Sequence, residues 1–519
     1  MKTFRFIPFL MVMALAALTL TACEKDDTDF SSIINSSSST DSNDTDSTDA
    51  SDTDDSNDTD STDNSDSSNT SGNISYAVNI EYSGTSATVT VADDVASYLT
   101  VSKSGAKVSI VQRSSLPDEI TYTLSGSSSD GSFYMDGELK ATVVLNGLTL
   151  TSTKGAAINI ENGKRIEVVL ADGTTNSLTD NSSGTQKGAM MINGHTEFSG
   201  GGTLNLTGKT KHAFWGDEYV VFKKSLGTIN VLSAVTDGFN VNQYIEMNGG
   251  TISIKSVGDE GIQASIEDGS ESYDDGSFFM NGGTLTIATT DGKGIKAEGD
   301  IEIYDGELSI NASGSEGMEA GSLITINGGK VFVQSYDDAI NSGSHMTING
   351  GYIMAYSSNN DGIDSNGNTY IEGGNIFAIS KSSPEVAIDA NTEGGYKLYI
   401  SGGNVVAIGG LESGASISGG TAYQASSFSK GSWYGLYNSD SSLAFAYQVP
   451  NNNNMGSPMV VYTTGTTSLK SGVTGSGDSF WNGYGYTACN GGSAVTLSAY
   501  TGGAGMGGGG FSGGGPGGH

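Results

Sequence analysis

The chain has 519 residues, among them 76 Gly, 6 Pro, 4 His and 2 Cys, and carries a formal net charge of −35. That acidity excludes nucleic acid as a partner, and two Cys supply neither a disulfide framework nor a cysteine-based zinc site. Abundant Gly with few charged residues suits many tight corners rather than long helices.

Lys2 and Arg5 precede an apolar run from Ile7 to Leu20, which ends Leu20-Thr21-Ala22-Cys23. A charged start, a short apolar stretch and a small-residue cleavage motif read as a signal peptide over residues 1–22, not a membrane span. Those last four residues resemble the bacterial lipobox, which implies cleavage before Cys23 and lipid on its sulfur. The stretch that follows, residues 24–72, holds 15 acids against one Lys and is otherwise mostly Ser, Thr and Asn. It has almost nothing to bury and repels itself, so residues 23–72 are expected to form a lipid-anchored, disordered linker. Anchor and spacer together point to a bacterial cell-envelope lipoprotein, attached to a membrane through Cys23 and exposed at the surface. Residues 73–519 keep a net charge of −23, which suits divalent cations, neutral glycans, or acidic glycans bridged by a cation.

Residues 73–119 alternate apolar and polar, as in Ala87-Thr88-Val89-Thr90-Val91 and Lys107-Val108-Ser109-Ile110-Val111. They read as strands of an N-terminal cap, because the open end of a solenoid exposes core and unpaired backbone. From residue 120 to 410 a short sentence recurs, beginning Met247-Asn248-Gly249-Gly250-Thr251-Ile252 and returning at Met280, Ile326, Ile348, Ile371 and Ile400. Between its copies lies a second phrase: an acid, a small residue, an apolar residue and a polar one. Its small residue falls at 189, 213, 238, 261, 294, 317, 339, 362 and 387. A period in the twenties means a solenoid, and β-branched runs joined by Gly and Asn corners make each repeat one coil of a parallel β-helix. The inner ladder is then Phe239, Ile262, Ile295, Met318, Ile340, Ile363 and Ile388. Nine such coils would form a rod roughly 40 Å long. The 33-residue step from 261 to 294 contains an acidic excursion, Ser265 to Gly276. Residues 411–501 lose the repeat and read as a C-terminal β cap, with strands at Leu443–Tyr447 and Met459–Tyr462. Residues 502–519 are a Gly-rich tail.

The Asn-Gly-Gly corners, Asn360-Asp361-Gly362-Ile363-Asp364-Ser365-Asn366-Gly367, and the phrase from Val168 to Asp180 with its core Ala171-Asp172-Gly173-Thr174-Thr175-Asn176 resemble one known family. This is the bacterial family of carbohydrate-binding domain proteins with a polysaccharide-lyase-like β-helix. The resemblance covers residues 120–410 and implies an all-β, right-handed parallel β-helix that binds calcium and plant-type polysaccharide, cellulose-like or pectic. At Ser225-Leu226-Gly227 the usual corner is replaced, and a bend or bulge is expected there.

Stacked coils turn a repeated position into a column. One column at the strand starts reads Asp237, Glu260, Lys293, Glu316, Asp338, Asp361; an outward one reads Asn240, Gln263, Lys296, Glu319, Asn341, Asp364, Asp389. Two carboxylates one coil apart repel by about 3 kcal/mol at an intermediate dielectric, so partly buried pairs invite a cation. Calcium accepts several carboxylate and carbonyl oxygens in flexible geometry. The calcium candidates are Asp337, Asp338, Asn360, Asp361 and Asp364, with Asp259 and Glu260 as a second set. His195, His212 and His345 fall in separate coils and form no metal centre. Lys293 and Lys296 either neutralise Glu260, Glu316 and Glu319, or serve as the base of a calcium-dependent β-elimination. A Lys among carboxylates is a poor base, since the surrounding charge favours its protonated form.

A third column, at the outward position after each Asn-Gly-Gly corner, turns from Asn205, Asn230, Ser253, Thr286 and Ser309 to Phe332, Met354, Phe377 and Val406. An apolar strip several coils tall is either covered or used. Either the C-terminal cap folds back over it, which Met354 and Val406 favour, or Phe332, Tyr336, Tyr352, Tyr356 and Phe377 form a platform for sugar rings. The corner Asn residues 248, 281, 327 and 349 read as a structural ladder. The reading as a whole is a monomeric, non-catalytic polysaccharide binder that uses calcium. Its rivals are a pectate-lyase-like enzyme using Lys293 or Lys296, and a structural or adhesive stalk.

Overall fold

The computed structural model describes residues 76–116, 118–267 and 274–502. The signal segment, Cys23, the linker, half of the acidic excursion and nearly all of the Gly-rich tail lie outside the described residues. Among the described residues no helix is long and apolar enough to cross a membrane.

Three ladders of short parallel strands wind into a parallel β-helix of about 11 turns. The additional turns relative to nine come from the N-terminal side, where Ala77–Ser83 already lies parallel to Ile120–Ser128, and Lys107–Gln112 parallel to Ser132–Asp136. Antiparallel partners close that end: Ser86–Val91 covers the edge of Ala77–Ser83, and Leu99–Ser104 that of Lys107–Gln112. Both strands divert pairing away from an edge that would otherwise template another chain.

The inner ladder predicted from the repeat is present in register. Phe239, Ile262, Ile295, Met318, Ile340 and Ile363 pair in sequence, Ile363 bridges Ile388, and all are at most 1% exposed. Each coil turns where it does because side chains are excluded there. Gly317 sits against the facing strand so closely that a Cβ would lie 2.0 Å from Val333 Cγ1. Gly351, with φ +89°, adopts the left-handed backbone that the corner requires, and a Cβ there would press on the Gly328 carbonyl. Corner amides stack as expected: Asn281 Nδ2 donates to Asn248 Oδ1 (3.0 Å), and Asn349 Nδ2 to Asn327 Oδ1 (2.8 Å). The coil with the substituted Ser225-Leu226-Gly227 corner does bulge, but farther along. Leu206 pairs with Val231 and Thr207 with Ser233, which squeezes Leu232 out to 53% exposure.

At the other end the stack continues to Ser416–Ile417, and Met459–Thr463 runs antiparallel to Asn404–Ile408. Four strands, Trp433–Tyr437, Leu443–Gln448, Ser468–Phe480 and Gly485–Ala494, close into a small antiparallel barrel. Phe332, Met354, Phe377 and Val406 share one apolar core with the barrel residues Tyr434, Leu436, Phe445, Tyr447 and Trp481. This barrel is the cover that the apolar strip needed.

Candidate functional site

The covering settles the aromatic candidates first. Phe332 and Tyr356 are each 6% exposed and Phe377 is fully buried, so none of them offers an open ring face. Phe377 packs on Tyr447 (4.7 Å between centroids) and Tyr352 on Phe480 (4.5 Å), while Trp481 Nε1 donates to the Tyr352 carbonyl at 2.9 Å. Of the five, Tyr336 alone projects into solvent, at 47% exposure. The expected sugar platform is therefore corrected: the strip is an internal interface, because desolvating it against the barrel is worth more than leaving it wet.

The polar columns stack as the repeat required. Backbone bonds Gly238 N to Glu260 O, Gly261 N to Lys293 O, Gly294 N to Glu316 O, Gly317 N to Asp338 O and Ala339 N to Asp361 O align the strand-start residues coil upon coil. On the earlier coils, cations answer several of the clustered acids. Arg165 and Lys223 lie between Glu167 and Glu197. Lys293 pairs with Glu316 at 3.2 Å and also with Glu319, and Lys296 lies 4.0 Å from Glu260. Lys293 is thus held by two local acids, and Lys296 stands at the edge of ion-pair distance from one.

The last coils differ. Asp338, Asp361, Asp364, Asp389 and Glu412 come together there, and among the described residues no Lys, Arg or His forms an ion pair with any of them. Carboxylate oxygens of Asp361, Asp364 and Asp389 lie within 4.8 Å of one another. Asp338 Oδ1 accepts from the Asp361 amide (2.9 Å) and Asp361 Oδ1 from the Val386 amide (2.6 Å), so the backbone fixes one oxygen of each, and Asp338 Oδ2 accepts from Asn341 Nδ2 at 3.3 Å. Burial, reinforced by Asp364, pushes Asp338 up to about 8. Burial likewise raises Asp361 to about 7, and Asp364 is raised for the same reason. Asp389 is driven up by burial and by its contact with Glu412. Asp337 and Asn360 stand just outside and bond each other, Asn360 Nδ2 to Asp337 Oδ1 at 2.8 Å.

This donor set fits a hard divalent cation: several carboxylate oxygens, partial burial, and charge that no side chain answers. Three of the candidates, Asp338, Asp361 and Asp364, are brought together, and Asp337 and Asn360 flank them. Asp389 and Glu412 are additions. Asp389 stood in the outward column, whereas Glu412 lies beyond the last clear repeat and carried no periodic signal. The second set, Asp259 and Glu260, joins Asp237. Burial and Asp259 raise Glu260 to about 7, but Asp237 meets His212 Nδ1 at 3.1 Å and Asn240 Nδ2 at 2.7 Å, and Lys296 stands near Glu260. That set is partly satisfied without an ion.

Residues 104–362 match a family described as carbohydrate-binding domain-containing protein. That stretch of the chain belongs to this family. The carbohydrate-binding domain thus takes in most of the coils but ends at the acid cluster, leaving Asp364, Asp389, Glu412 and the barrel outside the matched span. A relative from Acetivibrio thermocellus, also described as a carbohydrate-binding domain-containing protein, is 43% identical over 61 residues, which is 11% of this chain and 21% of the relative. The chain therefore spans about a fifth of the relative it matches. A solved structure titled as the polysaccharide lyase-like protein from C. thermocellum, a gadolinium derivative, aligns with 57% of this chain and 96% of its own at 20% identity and a TM-score of 0.38.

Proposed function

We propose that the protein is a cell-envelope lipoprotein that binds polysaccharide without cleaving it, and that calcium at the Asp338–Glu412 cluster stiffens the terminal coils or bridges to an acidic glycan. The observation that carries the reading is the membership of residues 104–362 in a carbohydrate-binding family. The geometry supports the non-catalytic form. A lyase would need a base near the cation; of the two candidate bases, Lys293 is tied to Glu316 and Glu319, and Lys296 stands 4.0 Å from Glu260. Asp361, Asp364 and Asp389, whose carboxylate oxygens lie within 4.8 Å of one another, would hold the ion, with Asp338 and Glu412 flanking them; when bound it would offset their mutual repulsion and present open coordination positions to ligand oxygens. Lipid attachment at Cys23 rests on the lipobox-like Leu20–Cys23.

The test is affinity electrophoresis of the full chain through gels containing polygalacturonate or hydroxyethylcellulose, with calcium and then with chelator, while following the absorbance of unsaturated sugar ends. Retention with flat absorbance is expected. Rising absorbance that disappears in Lys293→Ala or Lys296→Ala would make the protein a lyase, and absence of retention in every gel would favour a stalk.

A further inference from the structure

The barrel covers the apolar strip but does not lie flush along its edge. An open cleft of about 460 Å³ remains between the rod and the barrel, lined by Gln334, Tyr356, Tyr484 and the run Pro450–Asn454. Gln334 and Tyr356 end neighbouring strands of the rod, in register with each other. The Asn run is held across from them by the rod itself: Asn452 Nδ2 bonds the Tyr356 hydroxyl, and Ser382 N donates to the Asn454 carbonyl at 2.9 Å. Asn452 Oδ1 accepts from the Asn454 amide at 3.0 Å, which fixes the loop's shape. The Tyr484 ring lies parallel to Phe332 at 6.1 Å and 8°, so it is anchored rather than free to swing.

The composition of this cleft is unusual for so acidic a protein. Its lining contains side-chain amides, phenols and a proline, and no carboxylate, Lys or Arg. Amides offer donors and acceptors together, which matches sugar hydroxyls that are both. Tyr484, half-buried where Tyr356 is nearly covered, supplies an apolar surface for the C–H face of a pyranose. An acidic glycan would find no cation in the lining itself, where the nearest, Lys430, donates to Asn453 Oδ1 from outside at 3.5 Å, and the net charge of −35 works against its approach.

We infer that this cleft is a binding subsite for an uncharged polysaccharide, a neutral hexose chain. The inference rests on the polysaccharide-binding reading and deepens it, naming the ligand class and placing its site at the junction of family-matched coils with a barrel beyond the matched span. The subsite works independently of calcium, because no lining residue belongs to the acid cluster.

The test uses the full chain with hydroxyethylcellulose as probe, comparing wild type with the double variant Gln334→Ala, Asn453→Ala. Both side chains sit at the surface of the cleft, and circular dichroism checks that the variant folds. Wild type should be retained equally with and without chelator, the variant about tenfold less tightly, as expected for one or two lost hydrogen bonds. Hydrogen exchange gives a second readout: the glucan should slow exchange across 450–454 in wild type. Unchanged retention of the folded variant with no protection at 450–454 would overturn the inference and leave the polysaccharide reading standing. Retention by polygalacturonate alone would overturn the uncharged ligand class. Absence of retention of wild type in any gel would remove the underlying reading and this inference together.

Discussion

Replacing Asp364 by Asn tests the acid cluster most directly, because it keeps shape and hydrogen-bonding capacity while removing one charge. Burial followed by the charge of Asp364 holds Asp338 at about 8, from an ordinary 3.8, and burial holds Asp361 at about 7. The native protein therefore binds protons that the unfolded chain releases. The stability linked to them is fully present below about pH 4 and is lost as pH rises through 7 to 8, so the calcium-free protein should weaken from pH 5 to pH 8. Asp364 has carboxylate neighbours Asp361 and Asp389 within 4.8 Å. One ionised pair at that distance and an effective dielectric of 20 costs about 3 kcal/mol. A shared proton already relieves part of this, so Asp364→Asn should stabilise the chelated protein by about 2 kcal/mol at pH 8 and by nearly nothing at pH 4. Calcium should act in the opposite pattern. It should raise the wild-type unfolding free energy at pH 8 by about 2.7 kcal/mol at a hundredfold excess over Kd, seen as a higher urea midpoint, and the variant's far less. The assay is urea unfolding followed by circular dichroism, at several pH values, with calcium or chelator. A chelated wild type that is more stable at pH 8 than at pH 5, or a variant that responds to calcium as wild type does, would refute the reasoning.

Lys293→Met leaves Glu316 and Glu319 facing each other without their cation and should cost about 2 kcal/mol in urea, with no unsaturated product from either protein. Phe377→Ala removes a fully buried ring between rod and barrel; a loss of about 3–5 kcal/mol is expected, with earlier proteolytic cleavage in the barrel than in the coils. Gly317→Ala forces a Cβ onto Val333 Cγ1 and onto the Ala339 carbonyl (2.5 Å) and should cost about 2–3 kcal/mol, with only the Val333 part recovered in the double variant with Val333→Ala. A single Gly317→Ala variant as stable as wild type would show that the coils can shift to make room.

That last pair shows what kind of information the sequence carries. The small residue of the acid-small-apolar phrase is Gly at 238, 261, 294 and 317, and these meet Ile254, Ile287, Ile310 and Val333 across the coil. One coil further on, the small residue is Ala339, and the residue stacked on Val333 is Ala355. Volume gained on one side is surrendered on the other, as a densely packed interior demands. The repeat makes such exchanges readable because each coil places its residues directly over the last, so spacing alone converts into register. The inner ladder, the amide ladder and the polar columns all follow from that translation.

Where translation stops, legibility stops with it. Phe332, Met354, Phe377 and Val406 were visible as an apolar strip, yet nothing periodic states what lies on them. Their partners, Tyr434, Phe445, Tyr447 and Trp481, come from a barrel with its own antiparallel logic, and pairing between non-repeating segments is set by three-dimensional fit rather than spacing. Glu412 escaped for the same reason, since its column position survives only through the isolated bridge between Ile388 and Leu411. The end of the repeat is also where the features that bear on function gather: the acids without cations, the covered strip, and the amide cleft beside it. In a solenoid, interior coils are constrained on both sides by near copies of themselves. The terminal coils meet something different, and only there can one side chain acquire a neighbour that the period did not dictate.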